Sequence, residues 1–185
     1  MNTIVTSREE ILRASRELIK RQGWSAVSIR SVAAACGVSS GSIYNYFDSK
    51  AELVAETVES VWREIFQRPQ DAAVFQDIQA CVAWAYRRMA YGCERYPGFF
   101  TLHSLGFIGE DQSDGKRRMH KTWRHIQDGL CFVLKRDPGI RADAFTEQFT
   151  PEKFAGILFS LMFCALLRQD YDPSAVLELI RRTLY

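Results

Sequence analysis

Small and hydroxyl-bearing residues surround the tripeptide Gly37-Val38-Ser39, which separates two short segments with a helical spacing of apolar residues. Glycine can take the left-handed conformation that turns a chain sharply, and serine can cap the start of a new helix. Beyond the turn, Ile43 and Phe47 lie one helical turn apart, so a step of about 100° per residue points Gly41 and Asn45 away from them. Short polar side chains on such a face can hydrogen-bond to base edges in a DNA major groove. The spacing therefore predicts a helix-turn-helix whose second helix reads DNA.

The segment from residue 28 to 50, SIRSVAAACGVSSGSIYNYFDSK, has a more specific pattern. It resembles the DNA-binding signature of the tetracycline-repressor (TetR) family of transcriptional regulators, and the match covers roughly residues 7–60. One departure is Ser31, where the family commonly has an acidic residue. We expect this serine to weaken a capping box with Ser28 and to leave the groove-facing surface unchanged. The matching residues are Ser28, Arg30, Ala33, Gly37-Val38-Ser39, Gly41, Tyr44, Tyr46-Phe47, Lys50 and Leu53.

The resemblance implies a role for each matching polar residue. Tyr44 and Tyr46 would contact phosphates or thymine methyls, with aromatic packing at the domain edge as the alternative. Lys50 would hold a backbone phosphate, and Ser28 would present the N–H groups of a helix N-terminus to another. Ser39 would contact DNA or serve only as an N-cap. The candidates for contacts to base edges are Arg30, Ser40, Gly41, Ser42 and Asn45.

Helical signals dominate the whole chain. Ser7 with Glu10 and Ser49 with Glu52 have the spacing of capping boxes at the starts of helices. No stretch shows sustained strand alternation bounded by hairpin turns. The sequence therefore predicts an all-α fold with a helix-turn-helix DNA-binding domain over residues 1–50. A linking helix over 49–67 would lead to an effector-binding and dimerisation domain, a C-terminal helical bundle, over 68–185.

The segment from Thr150 to Arg168 predicts a helix that is apolar around most of its circumference. Such a helix packs inside its own subunit and against a symmetry mate, or forms the central core of a monomer. We expect a homodimer, whose two recognition helices would lie about one DNA turn apart, roughly 34–36 Å, on a pseudo-palindromic operator. The candidate interface residues are Phe154, Ile157, Leu158, Leu161, Met162, Leu166, Val176, Leu177 and Ile180.

Aromatic and polarisable residues recur on the three helices predicted after the DNA-binding part. An apolar cavity with a few polar groups is what binding of a small-molecule effector requires, although aromatic stripes at helical spacing more often belong to a core. The effector itself is unknown. The candidate residues are Trp84, Phe99, Phe100, His103, Phe107, Met119, His120 and Trp123.

The formal charge of the chain is +2, which alone argues against a strongly basic nucleic-acid binder. The excess is local, because residues 1–50 hold seven basic and four acidic side chains whereas residues 51–185 hold 17 and 18. The positive excess falls on the segment that carries the motif.

Other features exclude competing classes of protein. The five cysteines form no CxxC pair, and His120 and His125 lie on different helix faces, so we predict no metal site. The longest nearly apolar run, residues 154–167, is too short to cross a membrane, and no secretory signal is visible, so we expect a cytoplasmic protein without a membrane partner.

No catalytic motif is present, so we predict neither an enzyme nor a cofactor. The favoured function is a repressor that a small molecule releases from its operator. The alternative is a DNA-binding protein of the same fold with a chromosome-organising role.

Overall fold

The computed structural model describes residues 6–67, 72–100 and 113–185, the stretch 113–122 by its backbone alone. Eight α-helices occur in this part of the chain, and no strand does, which confirms the predicted all-α fold. The helices are α1 (Arg8–Gln22), α2 (Ile29–Cys36), α3 (Ser40–Tyr44), α4 (Lys50–Ile65), α5 (Ile78–Arg95), α6 (Ser113–Leu134), α7 (Pro151–Arg168) and α8 (Ser174–Leu184).

Most helix starts follow from local capping. Ser7 and Glu10 form the predicted capping box of α1, with each side chain accepting a hydrogen bond from the other residue's backbone N–H. Thr150 caps α7, and Pro151 occupies the first turn, where its missing N–H leaves no helical hydrogen bond unmade. At α8 the proline occupies the N-cap itself, and Asp172 instead accepts hydrogen bonds from the backbone and side chain of Ser174.

The segment before α5 is not one continuous helix. A short 3₁₀ helix, Ala72–Phe75, comes first, and α5 begins only at Ile78. The Asp77 carboxylate accepts hydrogen bonds from the backbone N–H groups of Gln79 (2.6 Å) and Ala80 (3.1 Å). Asp77 therefore starts a new helix where the apolar periodicity shows no interruption.

The chain divides into two compact units. The first contains the chain through Gln67 together with Gly92–Phe99, and the second contains the remainder. Helix α5 thus contributes residues to both units, and Gly92–Phe99 groups with the first unit although the predicted division assigns it to the second domain. The functional division into DNA-binding and effector domains stays a prediction.

Each unit has its own apolar core. In the first unit, Ile11, Ile43, Phe47 and Leu53 from four different helices or turns are fully buried. The aromatic part of this core is formed by Phe99, whose ring lies 6.0 Å from that of Trp24, 6.1 Å from that of Trp62 and 6.1 Å from that of Tyr96. The core of the second unit includes Ile78, Val82, Met89, Leu130, Phe154, Leu158, Ile180 and Leu184.

A buried carboxylate fixes the start of α5 in the second unit. Asp137 accepts hydrogen bonds from the backbone N–H of Ile78 (2.9 Å), from that of Gly139 (2.9 Å) and from the Tyr185 hydroxyl. A side chain on Gly139 would come within 2.8 Å of the Tyr185 ring, so this contact requires glycine.

Candidate nucleic-acid interface

The turn between α2 and α3 has the geometry that the sequence predicts. Gly37 adopts φ 68° and ψ 26°, the left-handed conformation that side chains disfavour. Its N–H donates to the carbonyl of Ala34 (3.1 Å), and the N–H of Val38 donates to that of Ala33 (3.0 Å). Two carbonyls at the end of α2 are thereby satisfied, and the chain reverses sharply into α3.

Ser39 caps the short helix α3. Its hydroxyl oxygen accepts a hydrogen bond from the backbone N–H of Ser42 (3.2 Å), and the two serine hydroxyls lie 2.9 Å apart. Ile43 and Phe47 are fully buried, as predicted, so they fix which face of α3 points outward. Ser39 therefore has a structural role as the N-cap of α3.

The outward face of α3 is small and polar. Ser40, Gly41, Tyr44 and Asn45 are exposed, Tyr44 to 52% of its surface, and Ser42 is half-buried. A side chain on Gly41 would meet only the Ser39 hydroxyl, at 3.6 Å, so the fold itself does not require glycine here. The missing side chain instead leaves room on the surface where a partner would approach.

The start of α2 carries a complete capping box. Ser28 accepts a hydrogen bond from the N–H of Ser31 (3.1 Å), and the Ser31 hydroxyl accepts one from the N–H of Ser28 (2.9 Å). The Ser31 hydroxyl also contacts the carbonyl of Ala26 at 2.6 Å, a contact that a carboxylate could not make as a donor. The expected weakening of this box by serine is therefore not seen. Arg30 is exposed on the same helix.

Two predicted features at the start of α4 differ in detail. Tyr46 is half-buried, and its hydroxyl donates to the carbonyl of Thr6, so that its proton is not free to bind a phosphate. Ser49 caps α4, but the Glu52 carboxylate accepts from the N–H of Asp48 (2.6 Å) and does not complete the predicted box with Ser49. Lys50 is exposed in the first turn of α4.

Sequence reasoning missed Arg8, whose guanidinium makes several hydrogen bonds to distant residues. Its Nη1 donates to the carbonyl of Tyr46 (2.6 Å), its Nε to Glu56 (2.8 Å) and its Nη2 to Glu52 (2.7 Å) and again to Glu56. The guanidinium carbon also lies 4.6 Å from the centroid of the Phe47 ring. These contacts, led by the Glu56 hydrogen bond, hold the pKa of Arg8 above its usual value.

One signal in the sequence could have pointed to Arg8. A cation in the first turn of a helix is opposed by the positive end of the helix dipole. Arg8 occupies this position in α1, directly after the N-cap. Such a placement indicates that a carboxylate elsewhere in the fold binds the cation, but it does not identify which carboxylate.

A second group of charges joins α1, α4 and the end of α5. Glu64 binds Arg16 Nε (3.0 Å) and Lys20 Nζ (2.9 Å), and the Lys20 ammonium lies 5.2 Å from the centroid of the Tyr96 ring. Burial alone would raise the pKa of Glu64, but the hydrogen bond from Lys20 and the nearby charges of Lys20 and Arg16 hold it below its usual value. Burial and the nearby Glu64 carboxylate raise the pKa of the Tyr96 phenol.

Four of the candidate effector residues have side chains that the structure describes, and the grouping of the whole set into one pocket stays a prediction. Phe99 belongs to the core of the first unit, and Phe100 is buried in the chain. Trp84 packs edge-on against Phe75 (5.5 Å between centroids). Trp123 lies against Phe159 and Phe163 of α7, at 6.0 and 5.5 Å. His103 and Phe107, and the side chains of Met119 and His120, lie outside the described residues.

The predicted dimer residues divide into two groups. Phe154, Leu158, Met162, Leu166 and Ile180 are buried within the single chain, and their place in an interface stays a prediction. Ile157 is 45% exposed, and Leu161, Val176 and Leu177 are partly exposed. Leu167 and Leu179, which the prediction omitted, are exposed apolar residues of the same two helices.

Two kinds of feature are absent from the described residues. No helix there is both long enough and apolar enough to span a bilayer. No group of three or more His, Cys, Asp or Glu side chains in the same residues has an arrangement that could hold a metal ion.

Residues 11–57 match the family model of bacterial regulatory proteins of the tetR family. The chain is also 28% identical over 147 residues to the nucleoid occlusion factor SlmA of Vibrio cholerae. The aligned residues cover 72% of this chain and 69% of that protein. It is 36% identical over 59 residues to the transcriptional repressor KstR2 of Rhodococcus jostii, but this covers only 32% of this chain and 29% of that one.

The fold is shared with solved structures of regulators. The transcriptional regulator FadR from Bacillus subtilis, solved in complex with stearoyl-CoA, superposes with a TM-score of 0.63 at 16% sequence identity. The superposition covers 97% of this chain and all (100%) of that one. The fold and the turn geometry define a helix-turn-helix protein. Its residues 11–57 belong to the tetR family of bacterial regulatory proteins.

Proposed function

We propose that the chain is a homodimeric repressor that binds a pseudo-palindromic DNA operator and is released by a small molecule. The observation that carries the proposal is the exposed polar face of α3, held outward by the buried side chains of Ile43 and Phe47. A helix of this size and polarity fits a major groove about 12 Å wide.

Contacts to base edges come from the outward face. Asn45 is suited to bidentate pairing with adenine and Arg30 to bidentate pairing with guanine, each worth about 1–3 kcal/mol of discrimination. Gly41 allows close approach of the backbone, because among the described residues a Cβ at this position would meet only the Ser39 hydroxyl, at 3.6 Å. Ser40 and Ser42 complete this set.

Contacts to phosphates come from the edges of the same face. Tyr44 and Lys50 are both exposed, one on α3 and the other in the first turn of α4. Ser28 presents the N-terminus of α2. Tyr46 contributes less than the resemblance implies, because its hydroxyl proton is already donated to Thr6.

A dimer would use the exposed parts of α7 and α8. Ile157 and Leu167 on α7 and Leu179 on α8 are 45%, 40% and 42% exposed, and Leu161 and Val176 are partly exposed near them in sequence. A second copy covering these side chains would remove apolar surface from water. The five buried residues of the predicted set support the interface from beneath.

Release would follow from linkage between two sites. An effector that prefers a conformation with a different separation of the recognition helices lowers DNA affinity, and DNA weakens effector binding by the same factor. The turn at Pro97-Gly98, where Gly98 has φ 75°, is the proposed moving element. The aromatic group Trp123, Phe159 and Phe163 is the described part of a proposed effector site.

Fluorescence anisotropy with duplexes selected from a random pool by the purified protein tests the proposal. We expect one enriched pseudo-palindromic sequence, binding with a steep salt dependence and a stoichiometry of two chains per site. Failure to enrich any sequence, or binding of equal strength to a scrambled duplex, contradicts the proposal. Sedimentation of the free protein as a monomer at micromolar concentration contradicts its dimeric part.

A chromosome-organising role is the second candidate, favoured by the similarity to the nucleoid occlusion factor SlmA. The two roles differ in how many genomic sites the protein occupies. Chromatin immunoprecipitation with sequencing distinguishes them. One or a few promoter sites support the repressor, and many scattered sites without change in nearby transcripts support the alternative.

A further inference from the structure

The carbonyl of Tyr46 lies just beyond the end of α3, where backbone acceptors lack partners within the helix. Arg8 supplies a partner from α1, with 2.6 Å between its Nη1 and this oxygen. The Phe47 ring, fully buried, lies under the guanidinium. Arg8 therefore holds the exit of the proposed recognition helix from a position 38 residues earlier in the chain.

The same guanidinium holds the start of α4. It binds Glu52 and, through two nitrogens, Glu56. The second oxygen of Glu52 accepts a hydrogen bond from the N–H of Asp48. Arg8 thus holds the short link between α3 and α4 at two points. It binds the Tyr46 carbonyl directly, and it binds Glu52, which accepts from the Asp48 N–H. Lys50, the proposed phosphate contact, follows directly.

Arg8 also compensates charge behind the proposed phosphate site. The Glu52 and Glu56 side chains are 23% and 17% exposed and lie in the first two turns of α4. Without a cation, these two carboxylates would repel a phosphate held at the start of this helix. Lysine could replace the charge, but it has no planar fork of donors to span a carbonyl and two carboxylates.

We infer that Arg8 is a positioning residue for DNA reading: it sets the orientation of α3 and of the first turn of α4 and thereby sequence preference, without contacting bases. The inference rests on the proposed DNA-binding function. Its rival is that Arg8, whose side chain is 44% exposed, binds a phosphate itself and that Glu52 and Glu56 merely hold it in the absence of DNA.

The experiment compares the variants Arg8→Lys, Arg8→Ala and Glu56→Gln with the wild type. The matched control is Arg13→Ala, which removes the same charge from an exposed position of α1. Dissociation constants are measured by fluorescence anisotropy for the selected duplex and for a scrambled duplex, over a series of salt concentrations. Circular dichroism at the same temperature measures the folded fraction of each variant.

We expect Arg8→Lys to lower the preference for the selected duplex at least about tenfold, because displaced recognition helices lose base contacts. The dissociation constant for the scrambled duplex should stay within about twofold of the wild-type value at each salt concentration. Glu56→Gln should lower the preference in the same direction. Arg13→Ala should retain it. If Arg8 were needed only for stability, its substitution would not change the ratio of the two dissociation constants in the folded protein.

Three results would overturn the inference. One is full preference in Arg8→Lys. Another is tighter DNA binding by Glu56→Gln, because a released Arg8 would then be the phosphate ligand. The third is a change in the slope of log K against log salt concentration. A slope that is shallower by about 0.9 per subunit in Arg8→Ala would mean that one phosphate contact is lost. A wild type without any preference would contradict the proposed function itself, which is a separate result.

Discussion

The two compact units are stabilised by different interactions. In the first unit, partly buried ion pairs connect separate helices: Arg8 joins α1 to α4, and Glu64 joins α4 to two cations of α1. In the described part of the second unit, the ion pairs are exposed: Glu178 pairs with Arg181 and Arg182 within one helix, and Lys135 pairs with Glu152. Aromatic rings contact each other between elements, and the buried Asp137 carboxylate supplies a polar contact at the start of α5. The ion pairs between helices are therefore more buried in the first unit than in the described part of the second.

This difference follows from what each unit exposes. The first unit is small and turns part of its short helix α3 outward, so its apolar core alone provides few contacts for orienting that helix. Directed hydrogen bonds and caps fix the orientation instead. The second unit has longer helices with apolar faces, which can pack without such directed contacts. We therefore expect single polar substitutions to have larger effects in the first unit than in the second.

The largest expected effect is on the core beneath the proposed recognition helix. Phe47→Ala should lower the free energy of unfolding by about 3–5 kcal/mol, because the fully buried ring would leave a cavity. Phe132→Ala, at a side chain 53% exposed in the second unit, is the matched control and should change it by about 0.5 kcal/mol or less. Urea denaturation followed by circular dichroism measures both. Equal effects would contradict the assignment of Phe47 to the core.

The next effect concerns the charge group around Glu64. Glu64→Gln should cost about 1.5–3 kcal/mol at pH 7, because Arg16 and Lys20, 13% and 10% exposed, each lose a charged partner. Since the folded-state pKa of Glu64 is lowered, its contribution is complete above about pH 4.5 and is lost as the pH falls through the folded value.

The measurement for Glu64 is the free energy of unfolding of both proteins from pH 7 to pH 3. The difference between wild type and Glu64→Gln should shrink below about pH 4.5, the usual pKa of a glutamate. A difference that stays constant down to pH 3 would mean that the carboxylate is not stabilised by these cations.

A smaller effect is expected at the start of α2. Ser31→Ala removes the hydroxyl that accepts from the Ser28 N–H in the capping box and donates to the Ala26 carbonyl, and it should cost about 1 kcal/mol. Ser160→Ala is the control in the second unit, where the exposed hydroxyl donates to a carbonyl of its own helix. The two thermal midpoints should differ, with Ser31→Ala the lower. Indistinguishable midpoints would show that the box adds no stability.

The smallest effect is expected at Glu178. Hydrogen bonds from Arg181 and Arg182 lower the pKa of Glu178 to about 2, but all three side chains are exposed, and solvent screens such pairs. Glu178→Gln should leave the thermal midpoint unchanged within about 2 °C. A larger decrease would mean that ion pairs stabilise the second unit as they do the first.

Features within a few residues of each other could be predicted from the sequence. The turn at Gly37, the cap at Ser39 and the buried pair Ile43 and Phe47 depend on neighbours at most four positions away. The same local reasoning expected serine at position 31 to weaken its box. It overlooked that a hydroxyl can accept from Ser28 and donate to a carbonyl at once.

Contacts between distant residues could not be predicted in this way. Arg8 bonds to residues 38 to 48 positions away, and no periodicity records such partners. Apolar periodicity also fails to separate a core from an interface. Leu158 and Ile157 are adjacent and equally apolar, yet one is fully buried and the other is 45% exposed. Likewise, Phe99 is an aromatic residue of the kind expected in a ligand pocket, but it belongs to the core of the first unit.

The central claim is that the outward face of α3 and the start of α4 bind DNA. The most direct test is the affinity of Tyr44→Ala/Lys50→Ala for the selected duplex, with Tyr91→Ala/Lys153→Ala as the matched pair of exposed residues in the second unit. We predict a loss of at least about tenfold for the first variant, with a weaker salt dependence, and no loss for the second. Equal affinities of the two variants, both folded, would contradict the account.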